Sequence, residues 1–155
     1  MLVKIISGGQ TGVDRAALDA ALELGFQCGG WCPKGRRAED GPISKKYPLR
    51  ETESEDYSIR TEWNVKDSDG TLIITCGTPI GGTAYTIAMA KVHKKPCLVI
   101  DLDNPPKEII EQIGSWLVQY KIQILNIAGP RESNRHGIYD DAKRLIVKVL
   151  NKLSC

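Results

Sequence analysis

Five short apolar runs, at residues 2–6, 26–28, 71–75, 96–100 and 123–127, alternate along this chain with longer segments of helical period. Runs so short and so apolar, spaced by helices, read as a parallel sheet covered on both faces, because each strand buries both sides and each parallel crossover needs a helix. Residues 12–24 set Val13, Ala16, Ala17, Ala20, Ala21 and Leu24 on one helical face before Gly25 ends the helix, and Phe26-Gln27-Cys28 follows as a second strand. Further helices are predicted at about 82–93, 106–120 and 137–152. The expected fold is α/β: a Rossmann-like three-layer α/β/α arrangement with about five mainly parallel strands. A chain of 155 residues with 41% apolar content suits one ligand-binding domain, residues 1–155, better than two.

Residues 29–66 break the alternation. The first part, rich in glycine, proline and charge, is expected to be a partly irregular excursion over the strand ends. From Ser54 to Val65 a helix is predicted, with Ser54 as its cap and Tyr57, Arg60 and Asn64 on one face.

Charge and cysteine usage exclude several classes. The 21 basic and 19 acidic residues are nearly balanced, and no block of like charge exceeds Lys34, Arg36 and Arg37, so nucleic acid is not an expected partner. No apolar run approaches membrane-spanning length, and Met1–Ile6 is too short for a signal-peptide core; a cytoplasmic protein with no membrane partner is expected. The cysteines, Cys28, Cys32, Cys76, Cys97 and Cys155, show no paired zinc spacing, so free thiols and no structural metal are expected.

The chemistry lies in the loops after the strands. Ser7-Gly8-Gly9-Gln10-Thr11-Gly12 and Gly77-Thr78-Pro79-Ile80-Gly81-Gly82-Thr83 each follow an apolar run and precede a helix. Glycine lets backbone N–H groups approach an anion, and the helix that starts there adds the positive end of its dipole. In an open parallel sheet, ligands bind beyond the carboxyl ends of the strands. The candidate phosphate-binding residues are therefore Gly8, Gly9, Gln10, Thr11, Gly12, Asp14 and Arg15 from the first loop, and Thr78, Gly81, Gly82 and Thr83 from the second. Lys34 and Arg36 after the second strand, and Arg131 and Ser133 after the last, would add charge and a hydroxyl. Arg60 and Asn64 are further candidates, although their helix face could equally pack locally. Either glycine loop alone could also serve only a tight turn, and residues 34–37 could be a solvated loop. No acidic residue ends the second strand, so the usual reader of a dinucleotide ribose is missing; Gly30–Arg37 has P-loop glycine spacing but arginines where Lys-Ser/Thr belongs.

Ser7-Gly8-Gly9-Gln10-Thr11-Gly12-Val13-Asp14-Arg15-Ala16-Ala17-Leu18-Asp19, with Gly30-Trp31-Cys32-Pro33-Lys34-Gly35-Arg36, residues 64–73 and Gly81-Gly82-Thr83, resembles the molybdenum cofactor carrier-like family, within the LOG-like (lysine-decarboxylase-like) Rossmann proteins. The resemblance spans nearly the whole chain. It implies a Rossmann-type domain and, as the carried ligand, molybdenum cofactor, a pterin bearing a phosphate and a dithiolene. The wider LOG group implies an alternative, a nucleoside-monophosphate glycosidic hydrolase built on P-G-G-x-G-T-x-x-E. Here Thr86 stands where that glutamate belongs, which argues against catalysis because threonine cannot stabilise an oxocarbenium-like transition state. Asp14 or Glu132 could replace it from another loop, and a non-catalytic nucleotide sensor is a third reading. A homo-oligomer is expected, with the apolar helices near 82–93 and 106–120, including Trp116 and Tyr120, as a possible face that core packing explains equally well.

Overall fold

The computed structural model of the protein describes residues 1–154. In chain order it contains β1 (Lys4–Ile6), α1 (Val13–Glu23), β2 (Gln27–Gly29), β3 (Trp31–Cys32), β4 (Arg50–Glu51), α2 (Tyr57–Asp67), β5 (Gly70–Thr75), α3 (Gly81–Val92), β6 (Cys97–Asp101), α4 (Ile109–Gln119), β7 (Ile124–Ala128) and α5 (Ile138–Leu153). The five apolar runs form one parallel sheet in the order β2-β1-β7-β5-β6, an α/β Rossmann-like layout as the sequence indicates. The last strand in sequence thus lies in the middle. Its start is fixed by Asp69 just before β5, whose Oδ2 accepts the N–H groups of Gln123 at 3.0 Å and Ile124 at 2.8 Å.

All six residues of β5 are buried, as a strand covered on both faces requires. Leu72 and Ile74 join Ile5 and the apolar sides of α1, α4 and α5 in the main core. The alanines of α1 let α5 lie close against it, and α2 packs on α3. Burying each large aliphatic side chain contributes roughly 1.5–3 kcal/mol. Trp116 belongs to this core at 8% exposure, so of the two explanations of this residue core packing holds; Tyr120 is half exposed.

The excursion after β2 is irregular but has a core of its own. Cys32, Ala38, Ile43, Tyr47 and Leu49 pack against Leu18 of α1. At its centre Arg36, held at a positive φ of 56°, donates to four carbonyls: Nε to Ile43 at 2.8 Å, Nη1 to Leu49 at 3.2 Å, and Nη2 to Ser44 at 2.8 Å and Tyr47 at 2.9 Å. These charge-assisted bonds offset the strained backbone, a cost on the order of 1–2 kcal/mol. Two elements differ from expectation. In the short parallel pair β3–β4, β4 carries no apolar signal, since both its residues are exposed. Helix α2 begins at Tyr57, capped by Asp56 accepting from Ser58 N at 2.9 Å; Ser54 instead accepts the Asp56 N–H at 3.0 Å.

Candidate anion-binding cavity

Beyond the carboxyl ends of β1, β7 and β5 lies a cavity of about 210 Å³, walled by the loops after these strands and by α2. The first wall is the loop after β1. Ser7 Oγ ties it by donating to the Asp14 carbonyl at 2.9 Å and accepting the Gly9 N–H at 3.3 Å. Glycine at position 8 lets the Arg60 side chain lie against this loop, since a Cβ there would stand 2.6 Å from Arg60 Nε. The Asp14 carboxylate accepts the Gln10 N–H at 3.3 Å and lines the cavity. Burial pushes its pKa up from 3.8 to about 6, against the pull of Arg60, the Gln10 N–H, Arg15 and Arg131.

The second wall, after β7, runs through Ala128, Gly129, Pro130 and Arg131. A Cβ on Gly129 would lie 2.1 Å from the Ile74 carbonyl, so only glycine lets this loop cross β5. The third wall is the start of α3. No side chain caps it, and a Cβ on Gly81 or Gly82 would meet nothing within 4 Å. The first N–H groups of a helix have no intrahelical acceptor, so this end presents free donors and positive potential to the cavity. Thr83 and Thr86 complete the wall; Thr86 Oγ1 donates back to the Gly82 carbonyl at 2.8 Å.

Two residues that line this cavity each carry a buried donor with no partner among the described residues: Gln10 Nε2 and Arg60 Nε. The Gln10 amide is held by its oxygen, which accepts from Thr11 N at 3.1 Å and Glu39 N at 2.9 Å, leaving its NH2 group uncommitted. Each unmade buried hydrogen bond costs about 1–3 kcal/mol. An acceptor-rich ligand in the cavity would recover that cost.

The other sequence candidates lie elsewhere. Gly9 packs under Leu49 and Ile43. The start of α1 is closed by protein: Val13 N donates to the Pro130 carbonyl at 3.2 Å, and a Cβ on Gly12 would lie 2.3 Å from that oxygen. Glu39 occupies the position expected for an anion, accepting from the hydroxyls of Thr11 and Ser133 and from Ser133 N. Arg15 donates to the Gly9 carbonyl and pairs with Asp40 at 3.0 Å. Arg36 is committed to its own loop, while Lys34 and Thr78 are exposed and off the cavity. Asn64 lines the cavity, but its amide is engaged with the Trp31 backbone, accepting at 2.8 Å and donating at 2.9 Å. Glu132 accepts from Gly137 N at 2.6 Å and Tyr139 N at 3.0 Å, which holds the start of α5. Thr61, Asn126 and Asn134 line the cavity without having been singled out. Asn126 had a readable signal, a lone amide inside an apolar strand.

Among the described residues, no group of three or more His, Cys, Asp and Glu side chains could hold a metal ion, and no helix is long and apolar enough to cross a membrane. Cys28, Cys32, Cys76 and Cys97 are free thiols, and Cys155 lies outside the described residues.

The family described as circularly permutated YpsA SLOG matches the chain over residues 5–150. The crystal structure of a protein from Syntrophus aciditrophicus SB named "Putative molybdenum carrier protein" is 52% identical, covers 96% of this chain and 94% of its own, and superposes with a TM-score of 0.92. No curated protein matches the chain.

Proposed function

The chain belongs to the circularly permutated YpsA SLOG family, and from that premise we propose that it is a carrier that binds a phosphorylated small ligand, foremost molybdenum cofactor, in the cavity beside α3. One observation carries this reading: Gln10 and Arg60, whose buried Nε2 and Nε have no partner among the described residues, line the same cavity as an uncapped helix N-terminus. The name of the similar crystal structure supports the choice of cargo.

In this reading the Gly81 and Gly82 N–H groups, with Thr83, bind a phosphoryl group. Gln10 and Arg60 donate from the facing wall, and Arg131 neutralises charge. At about 210 Å³ the cavity is smaller than the ~300–1,000 Å³ usual for whole ligands, so it takes the phosphate end and leaves much of the organic part outside. Mass spectrometry of ligand released on denaturing the purified protein tests the cargo. A phosphorylated pterin is the expected result; recovery of a different phosphate ester would replace the cargo, and recovery of a cation would overturn the site.

Asp14 favours a second reading, hydrolysis of a nucleoside monophosphate. A cavity carboxyl with a pKa near 6 is the kind of group that serves as an acid or base at neutral pH. Glu132, being engaged at α5, is not its rival. A panel of nucleoside monophosphates decides between the readings: base released over many turnovers by wild type, and slowed about 100-fold in Asp14→Asn, would replace carriage with catalysis.

A further inference from the structure

We infer that Tyr57 gathers Arg37, Arg60 and Arg131 into a second anion subsite beside the cavity, so that the preferred ligand carries two adjacent anionic groups, a diphosphate rather than a single phosphate monoester. This rests on the cavity reading above and names the chemistry of its ligand more closely.

The three guanidinium carbons lie 4.5, 5.2 and 5.4 Å from the centroid of the one Tyr57 ring. Among the described residues none of them pairs with a carboxylate, whereas Arg15, Arg135 and Arg144 do. Arg37 makes one bond, to the Glu55 carbonyl at 3.1 Å. Among the described residues the Arg60 guanidinium donates only to the Tyr57 carbonyl and to Thr61 Oγ1, and the Arg131 guanidinium makes no hydrogen bond. Asp56, Glu39 and Asp14 reach the cluster through their fields without pairing with it, each making its hydrogen bonds elsewhere. Three like charges on one ring repel one another, and the ring's negative faces and the unpaired carboxylates nearby offset that only in part. An anion bridging them removes the repulsion.

One phosphoryl group does not exhaust these donors. The start of α3 and Gln10, with Arg60 shared between the cavity and the Tyr57 cluster, suffice for the first group. Arg131 lines the same cavity, while Arg37, beside the Tyr57 ring, is not among the residues that line it. Together they present forked donors suited to a second, neighbouring phosphoryl group.

The test is calorimetric titration of wild type, Arg37→Gln and Tyr57→Leu with orthophosphate and with pyrophosphate at one fixed ionic strength. Arg37 is exposed, so its variant keeps the fold; circular dichroism checks both variants. Wild type is expected to bind pyrophosphate at least 10-fold more tightly than orthophosphate. Arg37→Gln should lower pyrophosphate affinity about 10-fold while moving orthophosphate affinity less than 2-fold, and a folded Tyr57→Leu should do the same. Equal affinity for the two anions in wild type, or a pyrophosphate preference untouched by Arg37→Gln, overturns the second subsite and leaves the cavity standing. Binding of neither anion by folded wild type overturns the cavity reading itself.

Discussion

Replacing Asp14 with asparagine is expected to stabilise the protein, and only once the pH has risen far enough to ionise the unfolded chain. Burial raises the Asp14 pKa from 3.8 to about 6 in the folded state. At about 1.36 kcal/mol per unit, this shift of roughly 2 units corresponds to ~3 kcal/mol. The sign follows from proton binding: the native state holds this proton more tightly than the unfolded chain does. Below about pH 4 both are protonated and the group is neutral to stability. Between about pH 4 and 6 the unfolded chain ionises first and stability falls; above about pH 6 the whole penalty is present. Asparagine cannot ionise, yet its amide oxygen can still accept the Gln10 N–H. Asp14→Asn should therefore exceed wild type by about 3 kcal/mol at pH 8 and by close to zero at pH 3.5, a rise in Tm at pH 8 of about 6–12 °C for a chain of this size. Urea unfolding of both proteins at steps from pH 3.5 to 8 measures it. A destabilised variant at pH 8, or a gain of equal size at both ends of the range, would refute the reasoning.

The same substitution removes a negative charge from the cavity, so orthophosphate should bind more tightly to Asp14→Asn than to wild type at pH 8, and the gain should shrink at pH 5, where Asp14 is largely protonated. A buried carboxyl that weakens the fold and lines a cavity is better explained by ligand chemistry than by packing.

Gly82→Asp should weaken orthophosphate binding at least ~10-fold, about 1.4 kcal/mol, by calorimetric titration; its Cβ meets nothing within 4 Å, so the fold persists, and unchanged affinity would remove the start of α3 from the site. Gly12→Ala forces a methyl to within 2.3 Å of the Pro130 carbonyl at a φ of +78°, and a loss of about 2–4 kcal/mol is expected from urea midpoints; a loss under about 0.5 kcal/mol would mean the two loops separate freely. Arg36→Met abandons four carbonyls and should destabilise by about 2–4 kcal/mol and open residues 43–49 to limited proteolysis, with orthophosphate affinity in the surviving folded protein unchanged. A weakened affinity there would return Arg36 to the ligand, where the sequence had put it.

Much of the fold was legible because the strands of a doubly covered parallel sheet are apolar on both sides, and all five sheet strands coincide with apolar runs to within two residues. Strand order was not legible in the same way. That β7 lies between β1 and β5 depends on pairings such as Lys4 with Ile124 and Thr71 with Asn126, which leave no periodic trace. The pair β3–β4 escaped for a different reason: it is two residues long, β4 buries no side chain, and backbone bonds and Asn64 clasping Trp31 hold it.

The site divides along the same line. Glycine after a strand announced a tight backbone approach, but not what approaches: at Gly8 it is the Arg60 side chain, at Gly12 the Pro130 carbonyl, and at Gly82 open space. Only the last leaves the start of a helix free. Arginines posed the same ambiguity, since a guanidinium satisfies carbonyls and phosphates with the same fork. Arg36 finds four carbonyls because the 43–49 loop curls around it, whereas Arg60 has its Nε sealed in the cavity wall without an acceptor. The difference between a structural and a ligand-directed arginine is thus the count of acceptors within reach, a property of the folded loops. It is why the weight of the site moves from the first glycine loop, which Glu39 and Pro130 close, to the second, which nothing closes.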